Sequence, residues 1–251
     1  MPMTDAPAFL TTPQGRRIAH HRRAGRGPGV VFLGGFRSDM GGTKALALQD
    51  WAAARGRAFI RFDYSGHGQS SGAFEEGGIG DWLADARAVM AALTEGPQVL
   101  VGSSMGGWIA LLLARAMPER VAALVGIAAA PDFTEDSLWA GMTGAERATM
   151  QATGRIERPS AYDPAPYVFT RRLGEDGRDH LVLRSPLNLP MPVRLLQGED
   201  DADVPPSVAL RLFGHASGPD IRLTLVKGAD HRFSSPACLD LIADTLDALT
   251  E

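Results

Sequence analysis

One cysteine among 251 residues, Cys238, leaves no partner for an intrachain disulfide. That excludes a small fold stapled by bridges and suits a reducing compartment. The thiol falls beside Leu239, Leu241 and Ile242, where a buried cysteine acts as a small hydrophobe. No cysteines or histidines have the spacing of metal ligands, so no metal is expected. Net charge is only −4, too little to draw the chain to nucleic acid or an anionic membrane surface. No apolar run reaches membrane-spanning length, so no membrane span is expected. The stretch from Met1 to Leu10 has neither the basic head nor the apolar core of a secretory signal. It is not an arginine-rich, acid-poor leader either, because Asp5 and the early prolines oppose one, and a cytoplasmic location is the expectation. The arginines at Arg16, Arg17, Arg22, Arg23 and Arg26 are expected to form a solvated hairpin edge.

What is present is an ordinary globular composition, 45% hydrophobic and 22% charged, with ample length for one large core. Short β-like runs alternate with helical ones. Phe9 to Thr12 and Arg17 to His21 flank Pro13-Gln14-Gly15 as an opening hairpin. Val30 to Leu33, Phe59 to Phe62, Val99 to Val101, Val121 to Ala128, Val193 to Leu196 and Ile221 to Val226 are strands. Ala45 to Ala54, Trp82 to Leu93, Trp108 to Met117 and Pro236 to Leu249 have helical spacing. Such alternation implies an α/β fold, a mostly parallel sheet with helices on both faces and its chemistry at the carboxyl ends of the strands.

The rhythm breaks from about Asp132 to Pro190. This segment lacks clear strand runs, but Thr143 to Thr153 reads as a helix with Thr143 as N-cap and Glu146 completing a capping box. Its aromatics, Phe133, Trp139, Tyr162, Tyr167 and Phe169, argue against a disordered linker. It reads as a small cap inserted into a single domain over residues 1–251. If Trp139, Tyr167 or Phe169 lines an apolar acyl tunnel, activity should rise with acyl length; which cap residues line the pocket is left open by the sequence.

Gly102-Ser103-Ser104-Met105-Gly106 carries the chemistry. It lies between the Val99–Val101 strand and a helix, the context that a G-x-S-x-G turn requires. There a serine hydroxyl stands out above a sheet, and Ser104 is the candidate nucleophile. A hydroxyl attacks only if a base takes its proton, usually a histidine oriented by a buried carboxylate. Of six histidines, His231 lies after the last strand and before the last helix, where a base can hang over the serine. His67, in Gly66-His67-Gly68, is expected to shape its turn. The run Glu199-Asp200-Asp201-Ala202-Asp203 follows another strand and offers four carboxylates, with Asp132 a further alternative. Oxyanion donors are expected from the backbone N–H of Met105, at a helix N-terminus, and from the loop after the Val30–Leu33 strand.

Taken together these residues resemble the α/β-hydrolase superfamily over the whole chain. Several strings are similar to the palmitoyl-protein thioesterase and mycophenolic acid acyl-glucuronide esterase group. They are Ser38-Asp39-Met40, Gly42 to Ala47, Arg61 to Gly68, Val101 to Trp108, Arg184-Ser185-Pro186 and Arg194 to Pro205. The family pattern G-x-x-D-x-x-V-P selects Asp201 as the acid. Gly34-Gly35-Phe36 resembles the His-Gly-x of related hydrolases, and that resemblance implies the backbone N–H of Phe36 as the second oxyanion donor. The resemblance implies a triad of Ser104, Asp201 and His231, no cofactor, and hydrolysis of a small-molecule ester or an acylated protein. A peptidase or carbon–carbon hydrolase would use the same triad. A non-catalytic binding protein on this fold would often lack the histidine or the acid.

Overall fold

The computed structural model describes residues 6–160 and 165–250; Asp5 and Tyr162 lie outside them. In chain order come β1 (Ala8–Thr11), β2 (Arg17–Arg23), β3 (Arg26–Leu33), α1 (Thr43–Ala54), β4 (Arg57–Phe62), α2 (Ile79–Leu93), β5 (Gln98–Ser103), α3 (Met105–Ala116) and β6 (Val121–Ile127). An insertion follows, with a π-helical turn (Thr134–Trp139), α4 (Gly144–Thr153), β7 (Arg155–Arg158), β8 (Tyr167–Thr170), α5 (Arg171–Arg178) and the two-residue β9 (Leu187–Asn188). The chain closes with β10 (Val193–Gly198), α6 (Pro206–His215), β11 (Ala216–Ser217), β12 (Ile221–Val226) and α7 (Pro236–Thr250).

Eight strands form one sheet in the order β1-β2-β4-β3-β5-β6-β10-β12. The opening hairpin pairs antiparallel, and every pairing from β4 to β12 is parallel. Period-two alternation splits the apolar strand residues between two faces. Val31, Leu33 and Leu100 meet α2 and α3, while Val30, Phe32 and Val99 meet α1 and α7. Helix α3 is buried from Met105 to Ala114, so it is apolar all round. Cys238 is buried beside Ile242 and Leu246, as its neighbours suggested. Among the described residues no helix is long and apolar enough to cross a membrane.

Two features depart from the sequence reading. Arg16 is not a solvated edge: its guanidinium reaches Asp85 at 2.7 Å and Asp81 at 3.3 Å, and the Asp85 side chain is fully buried. Asp85 also accepts from the N–H and hydroxyl of Ser65, so the pair ties the hairpin to α2 and to the turn after β4. The insertion, read as lacking strands, forms the antiparallel hairpin β7–β8. Each strand is only four residues long, and its stability comes from what it packs on: Phe169 of β8 stacks on Phe36 at 5.3 Å between centroids. The helix read at Thr143–Thr153 is present, with the capping box of Thr143 and Glu146 formed in both directions.

Asp132 joins the two roots of the insertion. It is fully buried and left-handed (φ 57°). Its carboxylate accepts from Val182 N–H at 2.8 Å, Leu183 N–H at 2.9 Å and the Arg184 guanidinium at 3.0 Å. Asp132→Ala strands two buried N–H groups, each worth about 1–3 kcal/mol when unpaired. Urea unfolding should show a loss of about 2–6 kcal/mol on that basis, and an unchanged midpoint would contradict the clamp.

Candidate active site

The parallel register brings the ends of three strands level. Leu33 pairs Gly102, Gly102 pairs Gly126, and Ser103 pairs Ile127. The chain must then turn from β5 into α3 within one residue. Glycine is required on both sides, because a Cβ on Gly102 would overlap the Gly106 carbonyl and one on Gly106 would overlap the Leu33 carbonyl. Ser104 takes the turn at φ 55°, ψ −120°, a conformation costing about 1–3 kcal/mol that persists only when its surroundings fix it. They do so here. Its N–H donates to Ile127 O at 2.9 Å, and its carbonyl accepts from Gly107 N–H at 2.9 Å and Ala130 N–H at 3.1 Å.

His231 and Asp201 meet on the loops after β12 and β10. Nδ1 of His231 lies 2.9 Å from Oδ2 of Asp201, whose side chain is fully buried. That oxygen also accepts from Gln197 Nε2 at 2.9 Å, and Oδ1 accepts from the N–H groups of Asp203 at 3.0 Å and Val204 at 2.8 Å. Burial alone would raise the Asp201 pKa, but the hydrogen bonds from His231, Val204 and Gln197 outweigh it and hold the carboxyl below its usual range. An ionised carboxylate only accepts, so Nδ1 carries the hydrogen, which in the neutral ring leaves the lone pair on Nε2. Of the acids in this run, Asp201 is the one whose carboxylate meets His231 Nδ1 at 2.9 Å. Asp200 is exposed, with its N–H on Ala229 O. Asp132 is committed to the root of the insertion.

Asp201, Asp203 and His231 are close enough for their ligand atoms to lie within 4.8 Å of one another, a cluster not apparent from spacing. It does not fit a metal. All four lone-pair positions on Asp201 are taken, and the His231 nitrogen facing it bears a hydrogen.

Ser104 and His231 line one cavity of about 1020 Å³, together with Phe36 and Met105. Its apolar wall includes Phe133, Leu138, Tyr167, Phe169 and Leu183. Of the three candidate aromatics, Tyr167 and Phe169 line it and Trp139 does not. That indole packs against the small insertion core, with the guanidinium groups of Arg178 and Arg147 over its ring at 5.0 and 5.4 Å. Met105 opens α3, where the first N–H groups have no partner in the helix. Phe36 follows β3, and its ring meets Phe74, Phe133 and Phe169. The sequence reading missed Gln197. A polar side chain inside the apolar strand Val193–Gly198 was the available signal.

A scan of family models matches residues 32–157 to the alpha/beta hydrolase fold. The rat mitochondrial palmitoyl-protein thioesterase ABHD10 is 36% identical over 249 residues, covering 97% of this chain and 82% of the relative. The chain belongs to the α/β-hydrolase family. A solved α/β-hydrolase structure, domain-containing protein 10 from mouse, superposes with a TM-score of 0.90 at 35% identity, covering 98% of each chain. A crystallised protein of Agrobacterium vitis S4 gives 0.94 at 44% identity, with the same coverage. Est1E from Butyrivibrio proteoclasticus shares the α/β-hydrolase fold, with a TM-score of 0.76 at 19% identity over 96% of each chain.

His67 shapes its turn, as read from the sequence. It is buried, with edge contacts to Tyr64, Phe74 and Trp82. Burial pulls its pKa from 6.5 to about 4, against the hydrogen bond to Ser65 O and reinforced by Arg37. Between those values the unfolded chain takes up a proton that the folded one refuses. The stability due to neutral His67 is thus complete above about pH 6.5 and lost as pH falls towards 4. The gap corresponds to roughly 3 kcal/mol. Urea unfolding at pH 7 and pH 4.5 should show a smaller acid loss in His67→Gln than in the parent; equal losses would contradict it.

Proposed function

We propose that this protein is a serine hydrolase that cleaves carboxylic esters or thioesters through an acyl-enzyme on Ser104. One observation carries the reading. A serine strained onto a helix N-terminus shares a cavity with an imidazole whose Nδ1 is held by a buried, fully hydrogen-bonded carboxylate. His231 Nε2 accepts the Ser104 hydrogen as Oγ bonds to the carbonyl carbon. The carbonyl π pair moves onto oxygen, facing the N–H groups of Phe36 and Met105. As that pair returns, the bond to the alkoxide or thiolate breaks, and the leaving group departs with the proton from His231. Water, losing a proton to the same nitrogen, then releases the acid and restores Ser104. Asp201 stays ionised, orienting the ring and stabilising the imidazolium.

The insertion is the cap that selects the substrate. The wall of Phe36, Phe133, Tyr167 and Phe169 suits an acyl chain, in keeping with relatives named palmitoyl-protein thioesterases. S-acylated proteins and acyl glucuronides are the substrate classes to compare.

A fluorophosphonate probe should label the protein, and Ser104→Ala should abolish labelling; persistent labelling would refute the nucleophile. Asp201→Asn should lower kcat about 10⁴-fold, while Asp200→Asn stays near the parent; the reverse order would move the acid. On p-nitrophenyl esters, kcat/KM should rise by up to about fourfold per added methylene along the apolar wall. A sharp preference for acetyl would contradict an acyl site there.

A further inference from the structure

His67 has a second neighbour that its turn does not explain. Its Nδ1 lies 3.2 Å from Ser65 O, and its Nε2 lies 3.3 Å from the backbone N of Arg37. One tautomer serves both contacts: Nδ1–H donates to Ser65 O, and Nε2 accepts from Arg37 N–H. Arg37 is the residue after Phe36, and it is left-handed at φ 55°. A bulky residue holds that conformation only where its surroundings over-determine it. Here the guanidinium also donates to Pro166 O at 2.6 Å, at the start of the β8 arm.

The peptide on the other side of Phe36 is pinned as well. Gly35 O accepts from Ser38 Oγ at 2.8 Å and from Ser38 N–H at 3.2 Å. In a trans peptide, C=O and N–H point opposite ways, so fixing the Gly35 carbonyl fixes the direction of Phe36 N–H. The next peptide plane is fixed through Arg37 N–H on His67. The candidate oxyanion donor thus lies between two anchored planes.

We propose that His67 is a positioning residue for the oxyanion site, holding Phe36 N–H in place by accepting the Arg37 N–H, with Ser38 anchoring the preceding peptide. The proposal rests on the serine-hydrolase reading. His67 is buried behind the loop and does not line the cavity, so its effect reaches the reaction only through the backbone. It should therefore govern the stability of the oxyanion far more than the binding of the neutral ester.

The test uses the full chain with p-nitrophenyl butyrate and an alkyl trifluoromethyl ketone, whose serine adduct places an oxyanion in the site. His67→Phe keeps an aromatic ring but lacks the acceptor. It should lower kcat about 10- to 100-fold, the loss that a small misplacement of a donor produces. KM should stay within about threefold, since binding the ester does not need that donor. The inhibition constant of the ketone should rise by the same factor as kcat/KM falls. His67→Gln, whose Oε1 can accept from Arg37 N–H, should recover most of both. If His67→Phe does not fold, Ser38→Ala should give the same selective loss. Parent-like kcat and ketone affinity in His67→Phe, or in Ser38→Ala where that substitutes, would overturn the proposal. So would a folded His67→Gln as impaired as His67→Phe. A parent that neither binds the ketone nor labels with fluorophosphonate would overturn the serine-hydrolase reading instead.

Discussion

The carbonyl of Leu33, at the end of β3, and the backbone of Gly106, in the first turn of α3, approach so closely that no side chain fits between them. The nucleophile half of the site follows from that contact. It draws the start of α3 down onto the sheet, forces Ser104 into a conformation that L-residues avoid, and sets the loop carrying Phe36 beside the serine. The strain at Ser104 is held by hydrogen bonds to Ile127, Gly107 and Ala130 on both flanks. A rigid frame matters because catalysis by oriented dipoles depends on groups already in place when charge develops.

The second half of the site is electrostatic. Asp201 is buried, yet its carboxyl sits below the usual range, because two backbone N–H groups, Gln197 and His231 all donate to it. A buried carboxylate so supplied stays ionised and accepts the hydrogen bond from Nδ1–H of His231. The same saturation explains why the Asp201–Asp203–His231 cluster is poor metal-binding chemistry despite its compactness. His67 is the opposite case, an imidazole kept neutral by burial and locked in one tautomer by Ser65 and Arg37.

Much of this was legible in the sequence, for reasons that differ from element to element. The central strands are short, apolar and bounded by glycine or acidic turns, so periodicity located them. Gly102 and Gly106 are local requirements of a single turn. Among four clustered carboxylates, local chemistry left the choice open; the resemblance favoured Asp201, and the structure places that residue on His231. The hairpin β7–β8 was not legible because each strand is too short to carry a pattern and leans on rings distant in sequence. The choice among Trp139, Tyr167 and Phe169 was left open for a related reason. Which aromatic of the insertion faces the cavity depends on how the π-helical turn packs on α5, with Arg178 on Glu135 and over the Trp139 ring, and composition does not encode that. Arg16 seemed surface charge until the fold brought Asp85, 69 residues away in the chain, beneath it.

The most direct measurement is the mass of the protein quenched within its first turnover of p-nitrophenyl butyrate. The expected result is release of one p-nitrophenolate per active site, with a butyryl adduct on the peptide that contains Ser104. Release with no transient adduct, or an adduct on another residue, would contradict it.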